Sequence, residues 1–130
     1  MLNKMAISSQ PTVLTQSTDA YINAGNTSRL QTLTSSTGAV TINPTNGAFT
    51  KMSSLAGNVT ITFTGLPSGY ANQWYLEVAN RGSNTVSFTG VTWDGGSAPT
   101  IVSSGKTVLV FYSTDGGSTI YGKAHFANIA

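Results

Sequence analysis

Cysteine is absent from this 130-residue chain. That excludes a disulfide scaffold, a thiolate zinc site and a cysteine nucleophile. Charge is scarce too: 8% of residues are Asp, Glu, Lys or Arg, where a typical domain has about 25%. The six bases (Lys4, Arg29, Lys51, Arg81, Lys106, Lys123) are scattered and form no basic run. Nucleic-acid binding by phosphate neutralisation needs such clustering, so none is expected. The longest strongly apolar run, 108–112, is far short of the roughly 20 residues of a membrane helix. The opening stretch has no apolar core of signal-peptide length. Synthesis without a secretory signal is therefore the expectation. Helical periodicity is nearly missing as well.

Hydroxyls and amides are what is present: 16 Ser, 20 Thr and 10 Asn, with 14 Gly. The length fits one domain. Alternation with period two, rich in β-branched residues, marks half-buried strands. In 58–65 (NVTITFTG), Val59, Ile61 and Phe63 share one face and the threonines the other. In 73–80, Trp74, Leu76 and Val78 point inward, Tyr75 and Glu77 outward. A shorter strand falls at 85–89 and an alternating one at 118–126. Residues 106–113 (KTVLVFYS) are apolar on both faces and predict a central, doubly covered strand. Weaker strands fall at 29–34, 39–43 and 48–52. Between them lie SSTG, NPTNG, LPSG, NRGSN, WDGG, SSG and TDGG, the chemistry of tight turns. The pattern predicts an all-β domain over 20–130: an antiparallel β-sandwich, jelly-roll-like.

Residues 1–19 differ, with Pro11, small polar residues and no alternation. They read as an extended N-terminal arm. Its apolar residues Leu2, Met5, Ile7, Pro11, Val13 and Leu14 are the candidates for partner contact.

Sites for chemistry are poorly supported. His125 is the only histidine, on the face of Tyr121 and Lys123, and reads as a surface or interface residue rather than a metal ligand. No G-x-S-x-G elbow occurs. Of the four acids, Asp94 and Asp115 each open a DGG turn, where aspartate bonds its own backbone. Glu77 is mid-strand, with Arg81 as a candidate partner. Gly105-Lys106-Thr107 lacks the upstream glycine and following helix of a phosphate loop. No catalytic residue, cofactor or metal is assigned, and no enzyme is expected. Trp74, Trp93, Tyr70, Tyr75, Tyr112 and Tyr121 are the aromatics from which a glycan-stacking or interface surface could be built. Trp74 lies on the apolar face and reads as core, and Tyr70, Trp93 (beside its turn) and Tyr112 are the candidates carried forward. For Trp93, packing against the adjoining hairpin is the favoured reading.

The stretch from about Trp74 to Gly122 carries a further signal. VTWDGGSAPT (91–100) and KTVLVFYSTDGGSTIYG (106–122) resemble a β-module of tailed-bacteriophage virion proteins, found in tail fibres, head fibres and related structural proteins. Matching residues are Trp93, Gly95, Gly96, Ala98, Pro99, Thr100, Phe111, Asp115, Gly116, Gly117, Thr119, Tyr121 and Gly122. Ile120 stands where the family often has tryptophan. The resemblance spans about half the chain and rests on turn and core residues. It implies a virion structural protein: a capsid decoration (cement) protein on the capsid surface, binding itself as a homotrimer and the major capsid protein. The alternative is a tail-fibre or head-fibre module binding host surface glycan.

Overall fold

The computed structural model describes residues 27–130. The arm candidates Leu2, Met5, Ile7, Pro11, Val13 and Leu14 lie outside the described residues. The described residues hold nine strands: β1 (Leu30–Leu33), β2 (Ser36–Ile42), β3 (Phe49–Met52), β4 (Leu55–Phe63), β5 (Asn72–Ala79), β6 (Val86–Phe88), β7 (Val91–Trp93), β8 (Lys106–Ser113) and β9 (Ile120–Ile129). Two single 3-10 turns, Pro44–Asn46 and Asp94–Gly96, interrupt the links. The domain is all-β, as its alternation predicts.

The strand path is a winding. β1, β3 and β5 enter a six-stranded sheet of order β1-β3-β5-β8-β9-β7; β2, β4 and β6 form a three-stranded sheet. The chain thus crosses between the sheets six times from β1 to β7, and β1, β3 and β5 lie parallel in one sheet as β2, β4 and β6 do in the other. Leu30 pairs with Phe49 and Phe49 with Tyr75. Ala39 pairs with Thr60 and Thr60 with Ser87. β8 then reverses against β5, β9 reverses against β8, and β7 closes the far edge parallel to β9.

This corrects the antiparallel, jelly-roll expectation: only β5–β8 and β8–β9 are antiparallel among the described pairings. Alternation reports which face a residue occupies and is blind to strand direction. Direction is decided at the links. Residues 34–35 and 53–54 are two-residue links without the Asn-Gly or Asp-Gly of a hairpin. Each turns a corner into the other sheet. Ser35 takes a positive φ of 52° there. The corners are stitched together: Ser53 N–H donates to the Leu33 carbonyl at 3.1 Å, and Ser36 N–H to that of Ser54 at 3.4 Å.

The unusual composition has its use at such places. Gln31 Nε2 donates to the carbonyls of Asn43 and Gly47, both at 2.9 Å, tying the β2–β3 link onto β1. Asn58 Oδ1 accepts from Thr85 N at 2.8 Å, and Asn80 Oδ1 from Gly105 N at 3.0 Å. Buried Thr107 accepts from Val102 N and donates to the Ala127 carbonyl, both at 3.0 Å. Neutral side chains thereby satisfy backbone groups that corners leave unpaired, with little of the desolvation cost that ions would add.

The core lies between the sheets. Val59, Ile61 and Phe63 from β4 meet Trp74, Leu76 and Val78 from β5, with Leu109 and Phe111 from β8. β8 is interior to its sheet, as expected, but its second covering fades. Outward-facing Val108 is buried, Val110 half-buried and Tyr112 exposed.

The last turn is held by Asp115. Thr119 N–H and the Ser113 hydroxyl donate to its Oδ1 at 2.9 and 3.0 Å. The bonds from the Thr119 backbone, then its side chain, hold the carboxyl below the ordinary aspartate value of 3.8. A lowered folded value means a contribution present above 3.8 and lost as pH falls through the folded value. The carboxyl is exposed, so the effect is small. In an NMR pH titration, Asp115 is expected to protonate below 3.8. Asp115→Asn should flatten the acid limb of the stability curve. A midpoint at or above 3.8 would contradict the bond pattern.

Candidate binding groove

On the outer face of the six-stranded sheet, register sets a row of side chains. Gln73 pairs with Tyr112, Tyr112 with Tyr121, and Tyr121 with Thr92, across β5, β8, β9 and β7. Tyr112 and Tyr121 are antiparallel neighbours on one face, so their rings meet. They stack at 5.0 Å with 27° between planes and stay 48% and 41% exposed. Tyr75 and Val110, two residues along, extend the face; Phe49 stacks on Tyr75 at 5.9 Å.

Beside the row is an open groove of about 670 Å³. Its walls include Gln73, Thr92, Trp93, Asp94, Tyr112, Tyr121 and Lys123. Gln73 Nε2 donates to Tyr75 Oη at 2.9 Å, which orients the amide. Asp94 stands at the 3-10 turn after β7, followed by Gly95 and Gly96 at φ 77° and 84°. Glycine enters that region without the steric cost other residues meet, so the turn that carries Asp94 closes there. Asp115 spends its carboxylate within its turn, whereas Asp94 is exposed on the groove wall. One carboxylate and one ammonium, Asp94 and Lys123, leave the walls formally neutral.

The three aromatic candidates separate. Tyr112 is a groove residue. Trp93 lines the groove but is half-buried, its ring packed on Phe88 at 5.1 Å and Phe111 at 5.8 Å. It is a core-edge residue, because β7 places it opposite Gly122 on the inner face. Tyr70 is 66% exposed in the β4–β5 link and is not a groove residue. Tyr121, one of the aromatic platform candidates, is a groove residue, whereas Gln73, Thr92, Asp94 and Lys123 carry no sequence signal for the site. The alternation of 118–126 marked Tyr121 and Lys123 as sharing a face, but only register brings Gln73 and Thr92 to them.

Among the described residues, the other charged groups lie elsewhere. Glu77 faces outward as expected, but its partner is Lys106, with Nζ 3.7 Å from Oε2. Lys106 opposes Ala79, two positions along the same face. Arg81 sits past the strand end and donates instead to the carbonyls of Ile101, Gly82 and Asn84. Exposed His125 lies at a register shift in β9, 5.5 Å from Tyr75 and 4.4 Å from Phe126. Among the described residues no three His, Cys, Asp or Glu side chains gather as a metal site would need.

Comparison with protein-family models, with curated proteins and with solved structures finds no match to the chain.

Proposed function

We propose that this chain is a structural protein of a tailed-phage virion, specifically a capsid decoration protein that binds the assembled shell as a homo-oligomer, a trimer, and stabilises it. The observation that carries the reading is the apolar outer face of the six-stranded sheet. Leu30, Phe49, Tyr75 and Val110 are register neighbours across β1, β3, β5 and β8. Leu30 is 55% exposed, and on β9 Phe126 is 52% exposed. An apolar patch rimmed by polar groups marks an association surface. By register the face also carries Lys51, Glu77, Lys106 and Lys123. Lys106 already engages Glu77, so closing the face leaves Lys51 and Lys123 to be matched by the partner.

The occupant assigned to this face is a second copy of the chain. β1 and β7 are the edges of the six-stranded sheet among the described residues, and neither carries Lys or Pro. Such edges invite pairing unless covered, and oligomerisation covers them. Contact with the major capsid protein falls to residues 1–19. A subunit that binds only the assembled shell stabilises it by mass action. The phage-module resemblance of 91–122 adds support, since its glycines and aromatics are the turn and core residues of this fold.

Quantitative mass spectrometry of purified particles tests the reading. The expected copy number is a simple fraction of that of the major capsid protein, and light scattering should give a trimer. Leu30→Glu with Phe126→Glu should yield folded monomers. Deleting residues 1–19 should abolish shell binding. Absence from the particle would overturn the proposal, and a few copies per particle would move it to a fibre.

A further inference from the structure

We infer that the free edge of β2 is a docking site for residues 20–23 of the same chain, which continue the winding by half a turn and close this end of the core. The inference is independent of the virion reading and of what residues 1–19 contact.

The first observation is a step in burial. Val40 on β2 pairs with Ile61 on β4, and both pack on the core. Ile61 is 0% exposed, whereas Val40 is half-buried. The other sheet has the same step: Leu33 is half-buried beside Met52, which is 0% exposed. The core therefore thins at the end where the described winding starts.

The second observation is the direction of the backbone. Thr64 N–H donates to the Ile42 carbonyl at 3.0 Å, so Ile42 turns its peptide groups towards β4. Successive residues of a strand alternate in this respect. Ala39 and Thr41 thus turn theirs to the other side, where no strand lies beyond β2 among the described residues. An edge of unpaired peptide groups recruits a strand, and β2 carries no Lys or Pro to deter one.

The sequence names the occupant. Tyr21-Ile22-Asn23 repeats the Ile-Asn and the spacing of Thr41-Ile42-Asn43. Ile42 ends β2 inside the core at 2% exposure, and Asn43 opens the link to β3, its Oδ1 accepting from Thr45 N at 3.0 Å. Five residues separate Asn43 from β3, and six separate Asn23 from β1. The two triplets are 20 residues apart. One turn of the winding takes 19 residues from Leu30 to Phe49 and 21 from Ala39 to Thr60. Residues 20–23 therefore have the spacing of one earlier turn. Laid parallel to β2, this register sets Ile22 beside Ile42 and Ala20 beside Val40, facing the core, with Tyr21 beside Thr41 facing out. A second copy is the competing occupant, but it pays the loss of translational and rotational freedom that a tethered segment escapes.

Hydrogen exchange read by NMR on the full chain tests the edge. The Ala39 and Thr41 amides should be protected. Ile22→Asp should remove that protection while Ile61 stays slow, and Leu14→Asp, ahead of the segment, should leave it. Fast exchange at both amides in the parent overturns the inference. Protection that survives Ile22→Asp, or that falls on dilution as a second copy requires, overturns it equally. Disulfide trapping is the second reading, in a chain with no cysteine of its own. Neighbouring strands lie about 4.7–4.9 Å apart, within the Cα range of a disulfide. Tyr21→Cys/Thr41→Cys should close an intramolecular disulfide under mild oxidation. Tyr21→Cys/Ser87→Cys, with its second thiol on β6 beyond β4, should keep both thiols. Closure of both pairs alike, closure of neither, or links only between chains would overturn the inference.

Discussion

Phe111→Ala is expected to destabilise the domain by about 3–5 kcal/mol, the range for removing a large aromatic from a core. Phe111 is 1% exposed and joins the two sheets. Its ring centroid lies 4.7 Å from Phe63 and 5.7 Å from Phe88, both of the three-stranded sheet. It lies 5.8 Å from Trp74 and from Trp93, both of the six-stranded sheet. Truncation removes four aromatic contacts at once and opens a cavity that strand backbones cannot collapse to fill. Small domains hold about 5–15 kcal/mol in total, so the loss is a large share. Urea unfolding followed by tryptophan fluorescence checks it, since both tryptophans adjoin the site. Tyr112→Ala is the control. It is next in the chain on the opposite face, and its loss should cost about 1 kcal/mol or less. Equal effects at 111 and 112 would mean that β8 is misregistered, because a one-residue slip exchanges the two faces.

That contrast marks what was legible in the sequence. Val59, Ile61, Phe63, Trp74, Leu76 and Val78 are all buried, as alternation requires. Every strand read from the sequence has a counterpart in the fold. β7 was missed: three residues are too few to alternate visibly, and the WDGG turn signal overlies its end. Strand direction was illegible for a different reason. A serine pair at 53–54 has no sequence signature that separates a corner from a reversal, so hairpins were inferred where the chain winds. The groove was half legible. Tyr112 and Tyr121 are outward by alternation, but their pairing with each other, with Gln73 and with Thr92 is a property of register. Packing of Trp93, the favoured reading of its sequence, is what the fold shows. Its inward position follows from β7 lying beside β9, a pairing between segments 29 residues apart at Val91 and Ile120.

Gly122→Ala should likewise destabilise the domain, by about 1–2 kcal/mol, although two opposing effects meet there. Glycine in a strand normally costs stability, so alanine would ordinarily gain about 0.5–1 kcal/mol. Gly122 has no positive φ to protect, and the obstacle is packing alone. A Cβ at this position falls 2.8 Å from Phe111 Cδ1 and 2.9 Å from Trp93 Cζ3. Those rings close over the strand where an ordinary residue would place its side chain. Neither can yield easily: Phe111 is gripped by four neighbours and Trp93 by Phe88. Overpacking of this kind costs about 1–3 kcal/mol and outweighs the backbone gain. Calorimetry should show the melting temperature lowered by several degrees. A double-mutant cycle with Trp93→Leu supplies the decisive reading. If the indole is the obstacle, the double variant is more stable than the two single effects add to. Purely additive effects, or a stabilising Gly122→Ala, would show that the rings move aside. In the first case this glycine is a packing residue. Gly122, Phe111 and Trp93 then form one packing unit, and that part of the motif reports a way of folding.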